Sequence, residues 1–208
     1  MKFLNSRRVL CIGAHPDDVE YGMAGAFQKY YDTDFTVVVM SEGGDWDKTT
    51  TYDDRQEENE HVWNTFINVT GVVDAHDFVK DRQEDDMINF IETQFNSFDL
   101  IATTPKEDSH FEHRIINNLG PALCRRNPIT LIEYRTPSTL NHWIPNHFEH
   151  LNDEIYKKKK STLKKFVSQQ HAPYFKEECI DSFHHNFLCS KKGLDKVESY
   201  RIVESFSK

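Results

Sequence analysis

Residues 9–20 read VLCIGAHPDDVE: a short apolar run reaches a glycine and breaks at once into a histidine, a proline and two adjacent aspartates. The run is four apolar residues long, has a β-branched residue at each end and is preceded by Arg7 and Arg8, which reads as a buried strand over Arg8 to Ala14. Carrying that strand on into Asp17 and Asp18 costs desolvation energy unless solvent or a cation meets the carboxylates. A strand that ends in charge is the pattern of an α/β sheet whose carboxyl edge carries a site, and the rest of the chain extends it.

FTVVVM at 35–40 is a second β-branched strand, and Met23 to Tyr31 between the two has helical spacing. A loop with paired glycines, SEGGDWDKTTTY, leads into a helix that Asp53 or Asp54 can cap and that offers Val62, Trp63 and Phe66 to the core. GVVDAH at 71–76 is expected as strand three. A helix from about Glu84 to Phe95 buries Met87, Ile88, Ile91 and Phe95, and FDLIATTP supplies strand four. After KEDSHFEHR come a helix in IINNLGPALCRR and strand five in ITLIEY. Strands alternating with helices predict an α/β fold around a mainly parallel sheet. Beyond residue 135 the pattern is irregular until a basic helix from about Asn152 to Gln170, whose KKKK at 157–160 reads as a solvated face beside Ile155, Leu163 and Phe166.

The chain has 208 residues and a formal charge of −9. That length suits a single domain over 1–208, with residues from about 136 onward shaping the substrate pocket. The acidic balance argues against a general nucleic-acid binder. Hydrophobic content is 38% and mean hydropathy −0.69, yet 15 Phe, 8 Tyr and 3 Trp provide core bulk that a disordered chain lacks. Cys11, Cys124, Cys179 and Cys189 form no CxxC pair and read as free thiols. With no signal-like start and no window resembling a membrane span, a cytoplasmic location is expected. Nothing in the sequence forbids a homo-oligomer.

AHPDDVE follows strand one and DSHFEHR follows strand four, so both clusters stand at carboxyl ends of strands, where open α/β sheets bind ligands. Strands one and four are neighbours in the usual doubly wound orders. Together the clusters offer His15, Asp17, Asp18, Glu20, His110, Glu112 and His113. A catalytic zinc site takes three protein ligands and keeps one position open, and His15, Asp18 and one histidine of the second cluster would supply them. The neighbouring aspartate can then stay off the metal as a general base. Taken singly, each piece has a plainer reading as a turn or helix cap; both together at strand ends favour a metal site.

AHPDDVEYGMAG resembles the AHPDDE signature of the PIG-L/LmbE-like zinc de-N-acetylases, and PKEDSHFEHR resembles their H-x-D-H motif. MSEGG, the R-x-x-E formed by Arg55 and Glu58, and WIPNHFEHL are similar to further family segments. The resemblance implies a Rossmann-like three-layer sandwich and hydrolysis of an N-acetyl or other N-acyl group from an amino sugar or sugar conjugate. It implies Zn2+, or another divalent transition metal, on His15, Asp18 and His113, with Asp17 as general base and His110 stabilising the oxyanion and protonating the leaving amine. Arg55 would lie in the substrate pocket. Glu112 stands where the family has Asp and would orient a ligand from behind, while Glu20 is expected to be structural.

Competing readings are a zinc amidase for a non-sugar N-acyl substrate and a non-catalytic metal-binding protein. A dinucleotide enzyme is disfavoured because GAHPDD lacks the G-x-G-x-x-G glycines. His142, His147, His150, His184 and His185 are expected at a pocket rim or on the surface. Trp46, Tyr52 and Trp143 are candidates for stacking on a sugar or for packing.

Overall fold

The computed structural model describes residues 1–41, 51–73, 83–95, 97–125, 127–190 and 193–205. The loop glycines and Trp46 lie outside these, as do residues 74–76 of the expected third strand, and the side chain of Tyr52 is likewise not described.

Seven strands make one sheet in the order β3-β2-β1-β4-β5-β7-β6. β1 (Arg8–Gly13), β2 (Asp34–Val39), β3 (Val69–Val73), β4 (Leu100–Thr103) and β5 (Thr130–Tyr134) run parallel. β6 (His147–His150) and β7 (Val197–Glu204) close the far side antiparallel, and β7 lies between β5 and β6. The chain builds outward from β1 in one direction through β2 and β3, then returns to β1's other side with β4. Above the carboxyl ends of β1 and β4 the order reverses, which leaves a crevice between their following loops.

Both faces of the inner parallel strands are covered, which is why β1, β2, β4 and β5 are apolar at consecutive positions. In β1, Val9 and Cys11 face one core with Val37, Val39, Ala102 and Tyr134. Leu10 and Ile12 face the other with Val38, Ile101 and Leu131. The first core is roofed by α1 (Asp18–Lys29), α2 (Tyr52–Trp63), α5 (Asp153–Leu163) and α6 (Glu177–His184). The second lies under α3 (Glu84–Gln94) and α4 (Phe111–Cys124). A short helix, α7 (Phe187–Ser190), precedes β7. The result is the expected Rossmann-like three-layer arrangement. Gly71 of β3 is a close approach: a Cβ there would sit 2.1 Å from the indole of Trp63, so the missing side chain lets α2 lie flat on the sheet.

Several expectations need correction. α1 begins at Asp18, five residues before Met23, because Asp18 and Glu20 in its first turn complement the helix dipole. The cap of α2 is Thr51, whose hydroxyl accepts from the Asp54 amide while the Asp54 carboxylate accepts from the Thr51 amide, a reciprocal capping box. α4 starts at Phe111, inside the loop expected before it. The basic helix stops at Leu163, and short 3-10 turns follow at Val167–Gln169 and Pro173–Phe175. Lys159 is fully buried rather than solvated: it falls one turn from Ile155 and Leu163 on the same stripe and meets the buried carboxylate of Glu198 on β7. Lys157 and Lys158 are exposed, as expected. Trp143 is also buried, its indole N–H donating to Glu133 at 2.9 Å, which leaves it no ring face for a sugar.

Candidate metal and active site

The turn between β1 and α1 puts the first cluster in place. The backbone N–H of His15 donates to Asp18 Oδ2 at 2.8 Å, closing the turn around Pro16. Asp17 sits in it at φ 101°, a left-handed conformation unusual for a residue with a side chain. That strain aims the Asp17 carboxylate into the crevice while Asp18 enters the helix. The second cluster is set by β4 and α4: Asp108 Oδ1 accepts from the His110 amide at 2.8 Å, and His113 falls in the first turn of α4.

The two clusters meet. His15 Nδ1 lies 3.3 Å from Asp18 Oδ2 and 3.3 Å from His113 Nε2, and that Nε2 lies 3.2 Å from Asp18 Oδ1. Donors about 2.0 to 2.1 Å from a zinc ion on tetrahedral directions stand roughly 3.3 to 3.4 Å apart. The outer nitrogens are held as well. His15 Nε2 is hydrogen-bonded to Glu112 Oε2, and His113 Nδ1 lies 3.1 Å from Asp108 Oδ2. Each outer carboxylate favours the tautomer with the proton on its own side, turning an imidazole lone pair toward the other donors. A divalent transition metal therefore fits the residues present.

The electrostatics agree. Burial opposes the His15 imidazolium, but Asp18 and Glu112 outweigh it and raise the pKa to about 9. Burial likewise opposes that of His113, and Asp18 and Asp108 raise it to about 10. Asp18, despite its burial, is held well below the usual carboxylate range by His113 and His15. The pocket is thus built for positive charge beside Asp18. Asp17 differs: burial, offset in part by Arg55 and reinforced by Asp18, pushes it up to about 8. Arg55 Nη2 donates to the Pro16 carbonyl at 2.8 Å and stands 3.6 Å from Asp17 Oδ2. Two neighbouring carboxylates with opposite shifts are suited to different tasks.

His110 is more exposed, its ring 4.7 Å from that of His113 and 4.6 Å from that of His15. Burial and these two imidazoles lower its pKa. Among the described residues, His15, His110 and His113 bring ligating atoms within 4.8 Å of one another. Glu20 turns away from the crevice, where its Oε1 accepts from the Trp63 indole at 2.7 Å, in keeping with a structural role.

A cavity of about 450 Å³ opens over the cluster, lined by His15, Asp17, Asp18, Arg55, His110 and His113 on one side. Pro137, Ser138 and the stretch Gln169 to Tyr174 form the rest of its lining. That volume suits a small organic ligand. Sequence reasoning missed Asp108, Ser138, Gln169 and His171. Asp108, 1% exposed, stands just ahead of His110 and could have been found as the other acid of the second cluster beside Glu112. Ser138, with Oγ 3.1 Å from His113 Nδ1, arrives from a loop with no sequence pattern. Of the other histidines, His147 pairs with Glu149 on β6 and His185 lies near Asp195, while His184 is fully buried in the core rather than at a rim or on the surface.

A family model described as PIG-L, GlcNAc-PI de-N-acetylase, matches residues 10–124. An Escherichia coli (strain K12) protein described as the uncharacterized deacetylase YaiS is 28% identical over 175 residues, covering 79% of this chain and 93% of that protein. The N,N'-diacetylchitobiose deacetylase from Pyrococcus horikoshii superposes with a TM-score of 0.70 at 20% identity, covering 97% of this chain and 85% of that one. GalB, the 4-carboxy-2-hydroxymuconate hydratase of Pseudomonas putida KT2440, superposes at 0.68 with 15% identity, covering 100% and 98% of the two chains. The architecture is thus shared by proteins of different reaction class, and the reaction has to be argued from the site.

Proposed function

The chain belongs to the PIG-L family, and from that premise and the site's geometry we propose that it is a zinc-dependent hydrolase removing an N-acetyl or other N-acyl group from an amino sugar or sugar conjugate. The observation that carries the reading is the set of donor atoms on His15, Asp18 and His113, spaced 3.2 to 3.3 Å apart beside a buried carboxylate that none of them engages.

His15, Asp18 and His113 would hold the metal, which when bound polarises a carbonyl and makes a water acidic near neutral pH. Asp17, fixed by its strained turn and by Arg55, takes the proton from the attacking water as the carbon–oxygen bond forms. His110 donates its N–H to the oxygen that becomes negative, a contribution on the order of 3 to 4 kcal/mol for one good donor. Breaking the carbon–nitrogen bond then requires a proton on nitrogen; His110, on the open side of the cluster, is placed to give it as the imidazolium, and the proton that Asp17 took from the water restores the balance. The products are a carboxylate and a free amine. Glu112 and Asp108 keep the two imidazoles oriented. Arg55 lines the cavity and so stands where it can also meet a hydroxyl or an acidic group of the substrate. The name of the chitobiose deacetylase supports the sugar part of the reading. The four cysteines are free, which suits a reducing cytoplasm. Among the described residues no helix is long and apolar enough to cross a membrane.

The test is release of free amine from a panel of N-acetylated sugars, nucleotide sugars and simple N-acyl amides by the zinc-loaded protein, with metal content measured in parallel. Amine from at least one sugar, and none from Asp17→Asn at unchanged metal content, is the expected result. Amine only from non-sugar amides would overturn the substrate assignment, and bound metal with no amine from any member would overturn the enzymatic one.

A further inference from the structure

The cavity wall opposite the metal ligands includes residues 169–174, far along the chain from either cluster, and the chemistry above does not say what holds it there. The answer lies on α2. Glu58 Oε1 accepts from the Ser168 backbone N–H at 2.7 Å, and Glu58 Oε2 accepts from the Ser168 hydroxyl at 2.7 Å. One carboxylate thus satisfies both donors of a single residue, at the centre of the 3-10 turn Val167–Gln169. The same hydroxyl accepts from Gln169 Nε2 at 3.1 Å, so the anchor passes directly to a side chain of the cavity lining that is itself 4% exposed. His171 Nδ1 donates to the Ser168 carbonyl at 2.8 Å, and the carbonyl of the fully buried Phe166 accepts from the Gln169 amide at 3.1 Å.

Glu58 is three residues beyond Arg55, about one helical turn. Arg55 reaches the Pro16 carbonyl and the Asp17 carboxylate, while Glu58 reaches the wall. A single turn of α2 therefore connects the base to the surface facing it.

We propose that Glu58 is a positioning residue for substrate recognition: through Ser168 it fixes the turn that sets Gln169 against the metal site, and so governs how firmly an N-acyl substrate is held rather than how fast it is cleaved. With one Nε2 hydrogen given to Ser168, the Gln169 carboxamide on the cavity lining keeps an acceptor oxygen and a second N–H, a pairing that suits an amide or a polyol. This rests on the reading above that the cavity binds the substrate.

The variants are Glu58→Ala, Glu58→Gln, Ser168→Ala and the Glu58→Ala/Ser168→Ala double, each compared with the parent by steady-state kinetics, metal content and amide hydrogen exchange. Losing charge-assisted hydrogen bonds should raise KM roughly tenfold or more with kcat within about twofold and metal retained. Exchange of the amides of residues 167–171 should quicken by a similar factor in Glu58→Ala, less in Ser168→Ala, which keeps the backbone bond, and the double variant should be no worse than Glu58→Ala, which already removes both bonds. Unchanged exchange in Glu58→Ala would overturn the anchor. Faster exchange at unchanged KM, or a fall in kcat alone, would overturn the role in recognition. Glu58→Gln, which keeps the bulk but turns one of the two acceptors into a donor, decides the matter where the alanine variant fails to fold: KM and exchange should rise in the same direction by a smaller factor. If the parent releases no amine from any substrate, the functional reading fails separately; the anchor is then judged on exchange and on equilibrium binding of N-acetylglucosamine, which Glu58→Ala must weaken.

Discussion

Asp17 stands at φ 101° with a carboxylate whose pKa burial raises to about 8, and both features oppose stability. Strain of this kind persists where the surrounding structure imposes it, here the ring of Pro16 before it and the start of α1 behind it. Glycine adopts the same backbone freely, so Asp17→Gly should be more stable than Asp17→Ala by about 1 kcal/mol in urea unfolding, though neither should turn over substrate. A different cost attaches to Asp108, which touches the outer nitrogen of His113 and not the cavity. Asp108→Asn should weaken metal binding by about 10- to 100-fold in a competition assay with a chelator, while leaving the fold intact. The two residues were not equally legible. Asp17 announces itself by standing beside Asp18 after an apolar strand, whereas Asp108 acts by reaching back under His113, a relation created only by the turn that starts α4.

At the scale of elements, the run KKKK on α5 separates into lysines with different environments. Lys159 is fully buried against Glu198, which also accepts from the Gly25 and Ala26 amides at 2.7 and 2.8 Å and from the Tyr200 hydroxyl at 2.8 Å. Removing the lysine strands a buried carboxylate, so Lys159→Ala should cost about 3 to 5 kcal/mol in denaturant unfolding. Lys158→Ala, which loses only an exposed pair with Glu154 at 2.8 Å, should stay within about 0.5 kcal/mol of the parent. Helical spacing already put residue 159 on the stripe of Ile155 and Leu163, and charge alone made it look solvated. Its partner is on β7, and neither β6 nor β7 carried a clear strand pattern: Phe148 and Val203 remain 40% and 50% exposed, so the apolar alternation that marks a half-buried strand is weak there. The parallel strands β1, β2, β4 and β5 were legible because they are covered on both faces and are apolar at consecutive positions, whereas β3, exposed at Thr70 and Val72, starts at Val69, two residues before the expected Gly71.

For the molecule as a whole, pH acts through histidine as well as through the site. His184 on α6 is fully buried, donates from Nδ1 to the Ile180 carbonyl at 2.8 Å and feels Lys159, Arg135 and Lys196. Burial first, then these cations, hold its pKa well below 6.5. The unfolded chain binds a proton here near pH 6.5 and the folded chain does not, so the stabilisation is complete above that pH and is lost as pH falls below it. Stability should decline below pH 6.5 by up to about 1.4 kcal/mol per pH unit from this residue, and His184→Phe should flatten that part of the profile by close to one proton. Thermal melts of both proteins from pH 7 to 5 would check this; equal slopes would remove His184 as the cause.

The position of β7 has a consequence for the order in which the chain can be completed during synthesis. Among the described residues β6 pairs with β7 alone, and β7 is also the neighbour of β5, so the β7 segment must be made before either contact exists. Strands β1 to β5 can pair as they emerge, but Glu198, the only ion-pair partner of Lys159 among the described residues, and the strand that carries it come some forty residues later. On a ribosome the five parallel strands wait with the β5 edge open, and the molecule closes from its last strand inward.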